Sequence, residues 1–373
     1  MATLPTYFDG FLKDVRPTKN QRDDLKTGHT TLRTRLRADD GLSAVYVSDF
    51  LQGSYRRSTV VRPKGDSRSD VDIIVVTRMD KNEYAPEVAM GAFVPFLEKF
   101  YKDKWDWQGR SFGIELSYVK LDLVITAAPS EVQQGILSTK AVTTDEGLDE
   151  ALDWRLVKGW VPVEERSLLR FADSITLQKS LTEPEWKVEP LWIPDRDAHR
   201  WDETHPLAQI AWTRDKNKNC SGYYLGTVQA LKWWRRSFDA PKYPKGYPVE
   251  HLIGVCCPNG ISSVAEGVVL SLEAMVREGA FYVATGTVPV LPDHGVPSHN
   301  VMGRVSAEDF AAFYKHVEGA ATIAREAYDE PDTAQSALRW RDLFGNKFPE
   351  PPTQKGGFSP RDSVSTPLGS RFA

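Results

Sequence analysis

Two aspartates separated by a single valine stand at the start of an apolar run, and they constrain this chain more than any other feature. The segment SDVDIIVVT, residues 69–77, is rich in β-branched residues and predicts a strand. Because successive strand residues alternate faces, Asp70 and Asp72 project from the same side, about 7 Å apart along the backbone. Two carboxylates this close repel each other unless a cation lies between them. Since Mg²⁺ binds through carboxylates together with substrate phosphates, the pair predicts a divalent-metal site.

A third aspartate extends this site. Asp122 lies in the middle of the predicted strand 114–128, among β-branched and aliphatic neighbours where an isolated charge is costly. We expect its strand to lie beside that of Asp70 and Asp72, which makes it a third ligand and allows a second ion. Two metal ions can activate an attacking hydroxyl and stabilise a departing pyrophosphate.

The turn that precedes the aspartates predicts a phosphate site. Gly53 lets the backbone approach a phosphate closely, and neighbouring amides together with the Ser54 hydroxyl can donate to phosphate oxygens. Basic residues that can offer charge to a triphosphate follow this turn: Arg56, Arg57, Arg62, Lys64 and Arg68. The hypothesis is a nucleoside triphosphate held with metal ions between these cations and the aspartates.

Composition is typical of a globular cytoplasmic protein. With 373 residues, 41% of them hydrophobic and 26% charged, the chain can form one large domain or two ordinary ones. Its net charge of −4 confines any nucleotide or nucleic-acid site to a local basic patch. Cys220, Cys256 and Cys257 fit neither a disulfide framework nor a zinc site, which indicates free thiols in a reducing compartment. Because no signal peptide or membrane-spanning run is evident, we expect a cytoplasmic location.

The order of predicted elements indicates an α+β fold with two lobes. In the first third we predict a helix at 18–38 with a Thr18–Gln21 capping box, strands at 44–54, 69–77 and 114–128, and a helix at 86–101. Helical patterns dominate after about residue 165. They lie at 221–238 with Ser221 as N-cap, at 262–279 ending at Gly279, and at 306–328 after Ser306. The last stretch is rich in Pro, Gly and Ser and predicts a mobile tail.

Together these motifs resemble a known superfamily. The segments GSYRRST and SDVDIIVV, with the later VKLDLVI, resemble the Gly-Ser…Asp-x-Asp signature of polymerase-β-like nucleotidyltransferases. More narrowly, the arrangement is similar to the bacterial cGAS/DncV-like nucleotidyltransferases, which make cyclic oligonucleotide second messengers in anti-phage defence. Residues 193–206, 222–236 and 249–254 also resemble segments of that family, so the resemblance covers roughly residues 20–300.

The resemblance implies a fold and an activity. The expected architecture is a polymerase-β-like palm, a mixed β-sheet with flanking helices and an N-terminal spine helix, at residues 1–165. A helical C-terminal lobe follows at 166–345, with the active site in the cleft between them, and a flexible tail at 346–373. The implied enzyme is a cyclic oligonucleotide synthase that joins NTPs into a cyclic di- or trinucleotide and releases pyrophosphate.

The same resemblance assigns roles to residues and partners. The catalytic metal ligands are Asp70, Asp72 and Asp122, for two Mg²⁺ ions that Mn²⁺ can replace, and the nucleotide-binding residues are Gln52, Gly53, Ser54 and Lys232. The substrates are ATP and other NTPs, and the cyclic product acts on a separate effector protein. Conjugation or regulatory proteins are possible partners of the C-terminal tail. We expect no membrane and no obligatory nucleic acid.

Two alternatives stay open at the level of sequence. The same site could act on RNA or protein, as in a tRNA-end or poly(A)-type polymerase or a nucleotidylating toxin, although no separate basic domain is visible and the chain is long for a minimal toxin. From another class, a catalytically silent nucleotide-binding regulator is disfavoured because it need not keep three costly carboxylates. Base choice, ring size and the linkage depend on contacts that the sequence does not locate.

Overall fold

The structure is a computed structural model that describes residues 3–127 apart from residue 66, residues 130, 131 and 134, and residues 189–351. The predicted lobe boundary at residue 165 and most of the predicted tail, residues 352–373, lie outside these ranges. Within the described part of the chain, no helix combines the length and the apolar character that crossing a membrane requires.

The palm is built on a mixed sheet of seven described strands. They are β1 (Tyr46–Gln52), β2 (Asp70–Thr77), β3 (Trp105–Trp107), β4 (Phe112–Glu115), β5 (Lys120–Ala127), β6 (Leu191–Asp195) and β7 (Arg200–Thr204). The strand order is β1-β2-β5-β4-β3, with β6 paired to the end of β5 and β7 paired to β6. Only the β2–β5 pair is parallel among these strands, which makes the sheet mixed as expected.

Helices flank the sheet and form the second lobe. The described helices are α1 (Pro5–Val15), α2 (Lys19–Ala38), α3 (Gly53–Arg56), α4 (Pro86–Gly91), α5 (Val94–Tyr101), α6 (Pro206–Asn219), α7 (Tyr224–Arg235), α8 (Tyr247–Cys256), α9 (Val264–Thr285), α10 (Ala307–Asp329) and α11 (Thr333–Phe344). The predicted α2 is confirmed together with its capping box, in which Thr18 and Gln21 bond reciprocally. The N-cap of α10 is confirmed as well, because Ser306 accepts from the amide of Asp309.

A buried ion cluster attaches the spine helix α2 to the sheet. Asp49 of β1 is fully buried and accepts hydrogen bonds from Arg33 and Arg37 of α2 and from the Tyr46 hydroxyl. The apolar face of α2, with Leu25, packs into the same core as the inward side chains of β2 and β5. The ion cluster and this apolar contact therefore hold α2 against the sheet.

Two predicted palm elements are wrong because each divides into two. The helix predicted at 86–101 is interrupted after α4, since Pro95 in the first turn of α5 has no N–H with which to continue a preceding helix. The strand predicted at 114–128 is a hairpin, in which the amide of Leu116 donates to the carbonyl of Val119 between β4 and β5. This turn has no Gly or Pro, so the apolar pattern runs through it unbroken.

Two predicted helix ends in the second lobe are also wrong. Ser221 is not an N-cap: it adopts a φ of 52° in the turn before α7, which begins at Tyr224. Gly279 does not end α9, which continues to Thr285 and ends at Gly286 with a φ of 65°. Gly279 is instead a packing position, because a Cβ there would lie 2.8 Å from the ring of Tyr314 on α10.

The two lobes are not divided along the chain as predicted. Strands β6 and β7, which fall in the segment assigned to the helical lobe, extend the palm sheet through β5. Conversely, α1 belongs to the core of the helical lobe, where Phe8 and Phe11 pack against α11. Periodicity marks the type of an element, but the partner that covers its apolar face is decided by the tertiary fold.

The start of the predicted tail also needs correction. Phe348 is fully buried and stacks against Tyr7 and Phe344, while its ring edge meets Phe8. The helical lobe therefore continues at least to this residue, past the predicted boundary at 346.

Replacing this anchor should destabilise the helical lobe. We expect Phe348→Ala to lower the free energy of unfolding by about 3–5 kcal/mol, because the substitution leaves a cavity among packed aromatic rings. Leu338→Ala on α11 is the matched control, since Leu338 is 43% exposed. Chemical denaturation of both variants measures the difference, and equal losses would contradict the anchor role of Phe348.

Candidate nucleotidyltransfer site

The parallel pairing of β2 with β5 brings three aspartates together. Asp72 stands opposite Asp122 in the register, and Asp70 stands opposite Lys120. Because the side chains of aligned strand positions share a face, all three carboxylates project from one side of the sheet. Each offers an oxygen, and these oxygens lie within 4.8 Å of one another. The predicted triad is therefore one cluster in the structure.

The environment of the triad disfavours three negative charges. Asp70 is exposed at its surface, but the surrounding protein desolvates it and, together with the charges of Asp72 and Asp122, raises its pKa to about 8. Burial and the charge of Asp122 raise the pKa of Asp72 to about 6, although the cations Arg57 and Lys232 oppose this shift. Burial likewise raises the pKa of Asp122. Clustered carboxylate oxygens that are strained by mutual repulsion fit a hard divalent cation.

Gly53 packs directly against one of these carboxylates. It adopts a φ of 73°, and a Cβ at this position would lie 1.7 Å from Oδ2 of Asp72. Both the backbone conformation and the contact therefore require glycine. Gln52 pairs with Asp72 across β1 and β2, so the predicted residues Gln52 and Gly53 both lie beside the triad. Ser54 is half-buried in the first turn of α3.

Lys232 reaches this region from the helical lobe. It lies on α7, is 9% exposed, and donates from Nζ to Oε2 of Glu250 at 3.1 Å. Its charge lowers the pKa of Asp72, and the same Glu250 also accepts from Arg57 of the palm. The predicted phosphate ligand is therefore at the junction of the two lobes, and its described partner is a carboxylate of α8.

The basic residues after the turn do not act as one group. Arg57 donates to Oε1 of Glu250 at 2.7 Å and also lowers the pKa of Asp72. Arg56 is the last residue of α3. The other three donate hydrogen bonds to protein groups: Arg62 to the Arg16 carbonyl, Lys64 to the Arg236 carbonyl, and Arg68 to the Ser117 carbonyl and the Glu115 carboxylate. Arg57 thus acts electrostatically on an aspartate of the triad.

Sequence analysis missed Gln108, which contacts the triad. Its Nε2 donates to Oδ1 of Asp122 at 3.2 Å, while its Oε1 accepts from the Ser111 hydroxyl at 2.7 Å. Gly113 makes room for this arrangement, since a Cβ there would lie 2.4 Å from Nε2 of Gln108. The hydrogen bond lowers the pKa of Asp122 against the effect of burial. No sequence signal marked Gln108, because its role depends on the β3–β4 hairpin.

Sequence analysis also missed Glu250 and Arg236. Glu250 is an acidic residue on an otherwise apolar helix, VEHLIG, and it is 3% exposed; a charge among apolar neighbours was the signal that could have found it. Arg236 follows Lys232 by one helical turn, and its charge opposes the raised pKa of Asp70. Two cations on one side of α7 thus complement two aspartates of β2.

A mixed palm sheet with this triad, a glycine turn against it and a helical lobe opposite defines a polymerase-β-like nucleotidyltransferase. Comparisons with known proteins narrow this class. Residues 1–129 match the family described as the Second Messenger Oligonucleotide or Dinucleotide Synthetase domain (SMODS). The chain belongs to the cGAS/DncV-like nucleotidyltransferases and is an enzyme that makes cyclic oligonucleotides.

Two relatives document this membership, and one solved structure shows the same fold. This chain is 48% identical to a probable cyclic AMP-AMP-GMP nucleotide synthase of Salmonella paratyphi B, and the match covers 99% of this chain and 100% of the relative. It is 47% identical, with the same coverage, to a cyclic AMP-AMP-GMP synthase of Enterobacter hormaechei subsp. hoffmannii. The Vibrio cholerae cyclic AMP-GMP synthase DncV, solved with a linear intermediate, shares the fold: the TM-score is 0.61 at 12% identity over 92% of this chain and 95% of that one.

A side chain at position 53 should disrupt the triad. We expect Gly53→Ala to reduce nucleotide turnover by at least ~100-fold, because the new Cβ must displace the Asp72 carboxylate and a displacement of about 1 Å suffices for that loss. Gly286→Ala is the control, since Gly286 has a similar φ of 65° and no heavy atom within 4 Å of the added Cβ. Pyrophosphate release measures both variants, and a comparable effect at the two positions would mean that general strain, and not the Asp72 contact, is responsible.

Repulsion within the triad should appear as a pH-dependent stability of the metal-free protein. The folded state holds the Asp70 proton up to a pKa of about 8, well above the ordinary aspartate pKa of 3.8, so stability falls as the pH rises between these two values. We expect Asp70→Asn to flatten this fall and to raise the melting temperature in EDTA at pH 8, while turnover is lost. Thermal scans from pH 4 to pH 8 with both proteins test this, and parallel curves would refute it.

Proposed function

We propose that this enzyme makes a cyclic trinucleotide from two ATP and one GTP, using divalent metal ions held by Asp70, Asp72 and Asp122. The observation that carries the proposal is the carboxylate cluster with its oxygens within 4.8 Å, closed on one side by Gly53. The choice of bases rests on the names of the relatives, which are a probable cyclic AMP-AMP-GMP nucleotide synthase and a cyclic AMP-AMP-GMP synthase at 48% and 47% identity.

The residues of this chain divide the work between the triphosphate and the acceptor. The Gly53 turn and the Ser54 hydroxyl bind the triphosphate, with Gln52 beside them and Lys232 contributing charge from α7. Asp122, which is oriented by its hydrogen bond from Gln108, helps the acceptor hydroxyl to lose its proton. Two Mg²⁺ ions, which Mn²⁺ can replace, supply the positive charge that lets this site activate a hydroxyl and release pyrophosphate.

One carboxylate centre in the described part of the chain must form every bond of the ring. Each condensation leaves a linear product that still carries a 5′-triphosphate, and the free hydroxyl of that product attacks in the next step. For closure the intermediate re-binds so that its own triphosphate meets Ser54 while its free hydroxyl takes the acceptor place. A cleft between the sheet and α7 favours closure, because it keeps both ends at high effective concentration.

The rivals considered from the sequence are weakened. A silent regulator has no need for a cluster of repelling carboxylates, whose raised pKa values show that the fold tolerates unfavourable charge here. Action on RNA or protein lacks support from the full-length relatives, both of which are named for a cyclic nucleotide product. We propose that the product acts on a separate effector in anti-phage defence. Conjugation at the C-terminus stays a prediction, since residues 352–373 lie outside the described part of the chain.

Product analysis tests this function. With ATP, GTP and Mg²⁺ together we expect one main product whose mass equals two AMP and one GMP less three waters, resistant to alkaline phosphatase because a ring has no terminal phosphate. Asp70→Asn with Asp72→Asn should stay folded and release no pyrophosphate. A ladder of oligomers, a phosphatase-sensitive product, or label on RNA or protein would contradict the synthase. A cyclic product of other composition would contradict only the choice of bases.

A further inference from the structure

A buried carboxylate joins the phosphate turn of the palm to the helical lobe. Glu250, near the start of α8, accepts from Arg57 Nε at 2.7 Å, from the Thr59 hydroxyl at 2.7 Å and from Lys232 Nζ at 3.1 Å. None of the four residues is more than 9% exposed. These contacts hold the pKa of Glu250 down at about 2 against the effect of burial, so the carboxylate is ionised at neutral pH.

The donors lie within a few residues of the triphosphate turn. The amide of Arg57 donates to the carbonyl of Gly53 at 3.0 Å, and the amide of Thr59 donates to the carbonyl of Ser54 at 2.9 Å. Glu250 is therefore separated from the backbone of the turn by a single residue on each path. Lys232 comes from the opposite lobe, so one carboxylate sets the position of α7 relative to the turn.

The charges in this cluster do not balance. Arg57 and Lys232 are two cations, whereas Glu250 is one carboxylate, and an excess charge in a buried place is unfavourable without a further anion. Asp72 is the neighbouring anion, since its carboxylate lies directly against Gly53 of the same turn. Once metal ions neutralise Asp72, one positive charge remains without a partner. An ion pair that only stabilises the fold does not need this excess positive charge, whereas a site that binds a polyphosphate does.

We infer that Glu250 is a positioning residue that holds Lys232 and Arg57 against the triphosphate turn, with one net positive charge kept for the nucleotide phosphates. This inference rests on the proposed assignment of Lys232 to the triphosphate. Glu250 itself does not touch the nucleotide, since it accepts hydrogen bonds and would repel a phosphate. Its effect on substrate binding therefore passes through Lys232 and Arg57.

A double-mutant cycle separates positioning from simple stabilisation. Affinity for a nonhydrolysable ATP analogue with Mg²⁺ is titrated for the full chain, for Lys232→Met, for Glu250→Gln and for the double variant. Loss of a charged hydrogen bond should weaken binding about tenfold or more when Lys232→Met is made in the natural chain. In the Glu250→Gln background the same substitution should weaken binding of the analogue by less than about threefold, because substitutions within one hydrogen-bond network do not have additive effects.

The outcomes distinguish this inference from the assignment beneath it. If Lys232→Met has no effect in the natural chain, the assignment of Lys232 fails and the inference fails with it. If Lys232→Met weakens affinity for the ATP analogue by the same factor in both backgrounds, Lys232 binds the phosphates but Glu250 does not position it. In that case the inference alone is overturned. Glu273→Gln is the control, since it breaks a carboxylate–Arg325 pair between α9 and α10 and should leave nucleotide affinity unchanged.

Glu250→Asp covers the case in which Glu250→Gln does not fold. This variant keeps the charge and shortens the side chain by one methylene, so the ion cluster survives while the carboxylate moves away from Lys232. We expect a folded protein that binds the ATP analogue several-fold more weakly, and a smaller effect of Lys232→Met in its background. Natural affinity of Glu250→Asp, with the full effect of Lys232→Met retained, would overturn the positioning role.

Discussion

The functional centre depends on one pairing, the parallel alignment of β2 with β5. This alignment sets Asp72 beside Asp122 although 50 positions separate them in the chain, and it places like charges where they repel. The cost is visible in the raised pKa values of Asp70 and Asp72. Such a cluster persists because nearly all apolar residues of both strands are buried, and their register cannot slip without exposing them.

The rest of the palm supports this unfavourable arrangement from two directions. On one face, α2 is fastened to β1 through the buried Asp49 and its arginines, which keeps the sheet rigid. At the end of β1, the chain turns so tightly at Gly53 that it touches the Asp72 carboxylate. The predicted phosphate turn and the carboxylate cluster are thus in direct contact, so a change in one alters the other.

The helical lobe adds to the positive charge that Lys120 and Arg57 of the palm bring to the aspartates. Lys232 and Arg236 stand one turn apart on α7, and each opposes the raised pKa of one aspartate of β2. The buried Glu250 connects this helix to Arg57 and Thr59 of the palm. Opposite charges therefore meet across the lobe junction, where Arg57 of the palm donates to Glu250 of the helical lobe.

Local sequence was sufficient to predict the carboxylate pair of β2 and the glycine turn beside it. The alternation of a β-strand put Asp70 and Asp72 on one face, and the glycine before Ser54 announced a close approach. Local cues also gave the capping boxes and N-caps that rest on neighbouring residues, as at Thr18 and Ser306. These cues gave wrong predictions at two positions. The turn between β4 and β5 has no Gly or Pro, and Gly279 is a packing position within a helix.

The sequence by itself determined which side chains carry charge and which faces of each strand and helix are apolar, because both follow from residue type and backbone period. Only the tertiary structure decided which distant segments meet. It placed β6 and β7 in the palm and α1 in the helical lobe, brought Gln108 to Asp122, and set Glu250 between Arg57 and Lys232. Hydrophobic burial is non-directional, so an apolar face does not name its partner. The partner of each apolar face is decided only when all apolar faces are buried together in the folded chain.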